Sequence, residues 1–180
     1  MKYIVLFLSF FIFGCTAHVK KSSYIITNQP KTFKQNLSPL VVGVEDIELP
    51  YYLEDGKIPY VKNNKIEFFN SYFTDDAEEF IKQRAIHILK NRYKDAFDYP
   101  WKSKSANYLL KIYIKEFITT NNTLTLKATY EFYSKNKKLI KQKFFTRSKS
   151  LKVADEKEIL RAMEELFDEF INDISTLKAF

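Results

Sequence analysis

Hydrophobic and polar positions alternate with period two over residues 123–133. Leu124, Leu126, Ala128, Tyr130 and Phe132 fall on one side, and Thr123, Thr125, Lys127, Thr129 and Glu131 on the other. This alternation predicts a strand with one buried and one wet face. Upstream, residues 106–117 put Tyr108, Leu110, Ile112 and Ile114 on a common face, and Asn121-Asn122 links the two runs. Asn tolerates the positive φ of a tight hairpin link, so the pair reads as a turn. A second turn over residues 134–138 leads to a third run, residues 139–148, and the three together predict an antiparallel meander. Asn63-Asn64 repeats the hairpin signal between residues 58–62 and 65–69.

In two places the period lengthens to three and four. Asp75 with Glu78 has capping-box spacing and opens a predicted helix over 75–93, whose apolar stripe is Ala77, Phe80, Ile81, Ala85, Ile88 and Leu89. Asp155 with Glu158 repeats the cap and opens a helix running to the C-terminus. Its stripe is Ile159, Leu160, Met163, Leu166, Phe167, Phe170, Ile171, Ile174 and Leu177, backed by a heavily charged face. That face is too polar to enter a membrane, so the stripe is expected to pack on the sheet. Residues 40–50 predict another strand, residues 23–27 a brief β-rich run, and Pro50 and Pro59 bracket a turn-rich piece around Gly56. The sum is an α+β fold: a mostly antiparallel sheet, including the C-terminal meander, packed by two amphipathic helices.

The N-terminus follows another logic. Met1-Lys2 is followed by the apolar run Tyr3–Phe13, which covers only about half of a ~30 Å hydrocarbon core. Its length and charged flank suit a secretory signal. Ile12-Phe13-Gly14-Cys15 resembles the bacterial lipobox, which implies diacylglycerol on the Cys15 sulfur and cleavage between Gly14 and Cys15. A conventional signal peptide with an incidental cysteine is the alternative. Two or three acyl chains hold a protein on a bilayer stably, where one does so marginally. The expected division is a signal peptide over 1–14, a lipidated N-terminus and tether over 15–22, and a single domain over 23–180.

Composition narrows the chemistry. Cys15 is the only cysteine in 180 residues, so the mature domain has no thiol for a disulfide or a nucleophile. The two histidines, His18 and His87, fall in the tether and on a predicted helix. Neither a zinc site nor a catalytic triad can be assembled from them. Only Gly43 and Gly56 remain after the signal, which leaves no phosphate-cradling loop. No enzyme activity, cofactor or metal is expected. The net charge of +7 falls to +6 once Lys2 is removed with the signal. A bias toward Lys, Asn, Ile and Phe is enough to produce it, and acidic lipid headgroups are the better counter-charge than nucleic acid for an exported protein.

The stretches YIIT (24–27), VVGVEDIELPYYLEDGKIPYV (41–61), NKIEFFNSYF (64–73), YPW (99–101) and YLLKIYIKEF (108–117) occur in an order that resembles the ABC-type transport auxiliary lipoproteins, the PqiC-like components of MCE-type lipid transport systems. The resemblance covers essentially the whole mature chain. It departs where family members carry Trp at the start of the first helix, since this chain has Phe73. It implies a non-catalytic, periplasm-facing lipoprotein that works with an ABC permease, its ATPase and an MCE-domain protein to move phospholipid or other hydrophobic molecules. Thr16 after the lipidated cysteine fits sorting to the outer membrane.

Two other functions fit the same residues: a carrier enclosing a lipid between sheet and helices, and an assembly lipoprotein of a secretion or pilus machine. Tyr51, Tyr52, Tyr60 and Phe73 are the candidate contacts for a partner or for phospholipid, with burial in the core as the plainer reading. Self-association into a homo-oligomer is left open.

Overall fold

The computed structural model describes residues 38–74, 76–100 and 105–176. Gly14, Cys15, the 23–27 run, Asp75 and Leu177 lie outside them.

The elements are β1 (Ser38–Glu48), a short helix α1 (Tyr51–Glu54), β2 (Lys57–Lys62), β3 (Lys65–Tyr72), α2 (Ala77–Leu89), β4 (Tyr93–Asp98), β5 (Tyr108–Thr120), β6 (Thr123–Ser134), β7 (Leu139–Ser150) and α3 (Glu156–Ser175). The strands form one sheet organised around β5. One edge of β5 pairs antiparallel with β6, and β6 with β7, which is the meander that the alternation predicts. The other edge is shared. β1 runs parallel along Tyr108–Tyr113, and β2 runs parallel at Thr119 and Thr120. β4 lies parallel outside β1, and β3 antiparallel outside β2. The fold is therefore α+β with a largely antiparallel sheet that also contains parallel pairs. Periodicity along one strand carries no information about the direction of its neighbour, so alternation alone could not reveal these pairs.

The hairpin links behave as their side chains dictate. Asn63 and Asn64 take φ 51° and 60°, and Asn121 and Asn122 take 47° and 58°. Two consecutive left-handed residues give the turn whose twist matches the flanking strands. Within β5 the register shifts between Ile114 and Glu116, leaving Lys115 as the extra residue of a bulge. Before the bulge Leu110, Ile112 and Ile114 face the core; after it Phe117 and Thr119 do.

α2 begins one residue later than the cap spacing suggested. Asp76, not Asp75, is the N-cap, and its Oδ1 accepts the Glu79 N–H at 2.9 Å. The helix stops at Leu89, four residues short of the expected end at Tyr93, and Tyr93 opens β4, a six-residue strand absent from the sequence reading. So short a run, with Tyr93, Ala96 and Phe97 buried, cannot be told from a helix tail by periodicity. α3 begins as expected, with Asp155 Oδ1 accepting the Glu158 N–H at 2.8 Å. The Glu158 carboxylate in turn accepts the N–H groups of Lys152 and Val153, at 3.1 and 2.8 Å, and their bonds hold its pKa below the usual carboxylate value. α2 and α3 cover one face of the sheet with Ile81, Ala85, Ile88, Leu166, Phe170 and Ile174 buried there. The opposite face carries a small second cluster of Phe97, Ala106 and Leu109.

Candidate functional site

The residues singled out from the sequence gather around α1, and the sheet explains why α1 exists. β1 leaves β5 at Glu48 opposite Tyr113, and β2 rejoins it at Tyr60 opposite Thr119. Between them the edge of β5 lacks a strand partner, which would strand its backbone donors. α1 fills the notch. The Phe117 N–H donates to the Tyr52 hydroxyl at 3.1 Å, and burial pushes the Tyr52 pKa up. Gly56 ends the α1 turn at φ +68°, accepting a hydrogen bond from the Phe73 N–H at 2.8 Å.

The four aromatic candidates do not form one surface. Tyr51 stands out from α1 with 73% of its surface exposed. Tyr52 is buried beneath it, the two rings meeting edge to face at 5.5 Å. Tyr60 is half-buried on β2, where its hydroxyl donates to Glu67 at 2.8 Å and that bond raises its pKa. Phe73 is buried against Phe80. Tyr52 and Phe73 thus serve the interior, and Tyr51 is the candidate that a partner could touch.

Among the described residues, three recesses lie near these side chains. The first lies between α2, α3 and the sheet, lined by Phe73, Phe80, Ile81, Phe117, Met163 and Phe167, with a volume of about 30 Å³. Sites for small organic ligands are roughly 300–1,000 Å³, so this crevice takes no lipid as it stands. The second is an open groove of about 740 Å³ beside α1, where Asp46, Glu48, Glu54, Asp76 and Glu78 place five carboxylates. Among the described residues no group of three His, Cys, Asp or Glu side chains is arranged to hold a metal ion. The third lies on the outer sheet face, about 330 Å³, with Tyr113, Thr129, Glu131 and Gln142 in its wall. Glu131 accepts from Tyr133 at 2.5 Å and from Gln142 at 2.6 Å. Burial and the Glu131 charge push the Tyr113 pKa up to about 12.

A family described as the ABC-type transport auxiliary lipoprotein component matches residues 24–175. The chain belongs to this family. Membership makes it a transport auxiliary lipoprotein of the cell envelope, associated with an ABC-type transport system. No curated protein matches the sequence. Similar solved structures include an uncharacterized protein at 12% identity and TM-score 0.66, aligned over 79% of this chain and 94% of the other. Protein XCC0632 from Xanthomonas campestris, a DUF330 protein, aligns at 9% identity and TM-score 0.65, over 86% of this chain and 90% of its own. At such identities the likeness is one of fold.

In this auxiliary lipoprotein the acidic groove is the feature that sequence reasoning missed. Its carboxylates come from three separate elements, β1, α1 and the start of α2. The signal available was the run of acids in 45–55 and 75–79, of which only Asp75 and Glu78 entered the reading, as a helix cap.

Proposed function

We propose that this lipoprotein is a non-catalytic docking component: it is moored to its membrane through acylated Cys15 and engages an MCE-domain protein of an ABC-driven transport system for phospholipid or another hydrophobic cargo. The observation that carries the docking role is the lack of room between helices and sheet among the described residues. The crevice between the helices and the sheet measures about 30 Å³, far below what an acyl chain needs, so cargo passes through a partner and not through this domain. The family match over residues 24–175 supports the transport setting, and Thr16 supports the outer membrane as the anchoring bilayer.

The decisive experiment has two arms. Native mass spectrometry of the protein extracted from its own membranes is expected to show acyl mass on Cys15 and no further lipid; one phospholipid per chain would establish a carrier instead. A photo-crosslinker at Tyr51 in intact cells is expected to capture an MCE-domain protein. Capture of secretion or pilus subunits would overturn the transport reading.

A further inference from the structure

Exposed lysines lie on several elements, Lys62 and Lys65 beside the β2–β3 turn among them, and five more gather at one pole of the sheet. Backbone pairing brings several element ends together at one pole. The Ser38 N–H, at the start of β1, donates to the Arg92 carbonyl at 2.8 Å, and Ser38 pairs with Tyr93. At the start of β5, Tyr108 lies opposite Ser134, whose N–H closes the β6–β7 turn onto the Lys138 carbonyl at 2.9 Å. Neighbouring strands lie ~4.8 Å apart, so this turn sits on the order of 10 Å from β1. Lys90, Lys94, Lys135, Lys137 and Lys138 are all exposed here. None of these five joins an ion pair among the described residues. Beside them Leu139 and Ile140 leave 46% and 38% of their surface in water.

At the other end of β1 the charge reverses, where Asp46, Glu48, Glu54, Asp76 and Glu78 line the open groove. An eleven-residue strand is roughly 30 Å long. That is several times the ~8 Å screening length in physiological salt, so the two poles act independently.

The residues before Ser38, Cys15 among them, join the described fold at the basic pole. We infer that this pole rests on the anionic phospholipid headgroups of the bilayer that Cys15 anchors, with Leu139 and Ile140 dipping into the interface. The inference rests on Cys15 being the anchor. The linking chain does not by itself orient the domain, because residues 16–37 can span roughly 70 Å when extended. Charge does. Lysines at a membrane surface each contribute appreciably to attraction, and an apolar pair flanked by lysines suits the boundary between headgroups and acyl chains. Acylated Cys15 keeps the whole domain, this pole included, at high local concentration over lipid, which favours a lipid surface over an acidic protein as its occupant. The acidic groove and Tyr51 then face away from the bilayer.

The test uses the full-length acylated protein reconstituted in vesicles. With Cys15 acylated, Asn136→Cys supplies the single reactive thiol at the basic pole, and Glu54→Cys marks the acidic groove. An environment-sensitive dye at position 136 is expected to be quenched by spin-labelled lipid in vesicles of equal parts phosphatidylglycerol and phosphatidylcholine. The quenching should fade in high salt and on phosphatidylcholine alone, and a dye at position 54 should stay unquenched throughout. Replacing Lys135, Lys137 and Lys138 by Gln, all on an exposed turn, is expected to lower the docked-to-undocked ratio on the order of 100-fold. Equal quenching on both vesicles, or none at position 136, overturns the inference. So does shielding of position 136 in detergent without any bilayer, which would make the pole an interface between proteins. The mass of Cys15 reports on the anchor separately. If it is unacylated, the lipoprotein reading fails, and salt-sensitive flotation of that protein with the phosphatidylglycerol vesicles still decides the basic pole.

Discussion

Arg84 on α2 grips Asp168 on α3 through two parallel hydrogen bonds, Nε to Oδ1 at 2.7 Å and Nη2 to Oδ2 at 2.9 Å. The two helices are separated in sequence by most of the sheet, so this fork ties together the covering layer over the core. Only 9% of the Arg84 side chain and 27% of Asp168 is exposed, so the pair is poorly screened. Arg84→Met removes the fork and leaves a half-buried carboxylate, at an expected cost of about 2 kcal/mol. Arg84→Lys restores the charge without the planar fork and should recover little. Adding Asp168→Leu to Arg84→Met should return part of the loss. Urea midpoints at constant slope check all three.

Gly56 allows a sharper forecast. Its φ of +68° disfavours any side chain, and a Cβ there would stand 1.9 Å from the Thr74 carbonyl oxygen. Backbone atoms cannot step aside as a flexible side chain can. Gly56→Ala is expected to cost about 3 kcal/mol or more and to loosen α1 along with it. Thermal unfolding followed by circular dichroism measures the loss. A change below about 1 kcal/mol would mean that the turn relaxes freely.

That strain lies where the sequence spoke least clearly. The meander and both Asn-Asn hairpins were legible because alternation and left-handed turn residues act locally. The α3 cap was equally plain. α1 was not, because its cause is remote: the gap that β1 and β2 leave along β5 is filled through the Tyr52–Phe117 contact, between residues 65 positions apart. The β5 bulge at Lys115 was hidden for a similar reason, since only pairing with β6 shows which residue is extra. Of the aromatic candidates, Tyr51 and Tyr52 are neighbours in sequence with opposite fates, and no composition argument separates them. The poles of charge were illegible because Lys90, Lys94 and the 135–138 turn meet only once the strands are in register.

The outer face of the sheet predicts an alkaline weakness. An ordinary Tyr phenol ionises near 10. Burial first, and then the Glu131 charge, push Tyr113 up to about 12, and on the opposite, helix-covered face Tyr130 shifts upward as well through burial and Asp173. Above pH 10 the unfolded chain gives up these protons while the folded chain keeps them. The stability that the neutral phenols confer is therefore complete below pH 10 and is lost as pH rises toward 12. Tyr113→Phe has no proton to lose and should flatten that decline. Denaturant unfolding at stepped pH, with phenolate absorbance recorded in the folded protein, tests the sign. A steeper decline in Tyr113→Phe would refute it.

Tyr51 and Tyr52 offer the cleanest separation of surface from scaffold. Tyr52→Phe keeps the ring but withdraws the acceptor from the Phe117 N–H, leaving a buried backbone donor in the notch between β1 and β2. An unsatisfied buried donor costs about 1–3 kcal/mol, and the unfolding midpoint should drop accordingly. Tyr51→Ser removes a ring that is mostly in water, and its effect on stability should stay within about 0.5 kcal/mol. The same substitution is expected to weaken capture of the transport partner by crosslinkers placed at neighbouring Glu54. If Tyr51→Ser instead destabilises the fold as much as Tyr52→Phe, its exposed ring belongs to the scaffold, and the docking surface must be sought along the acidic groove alone.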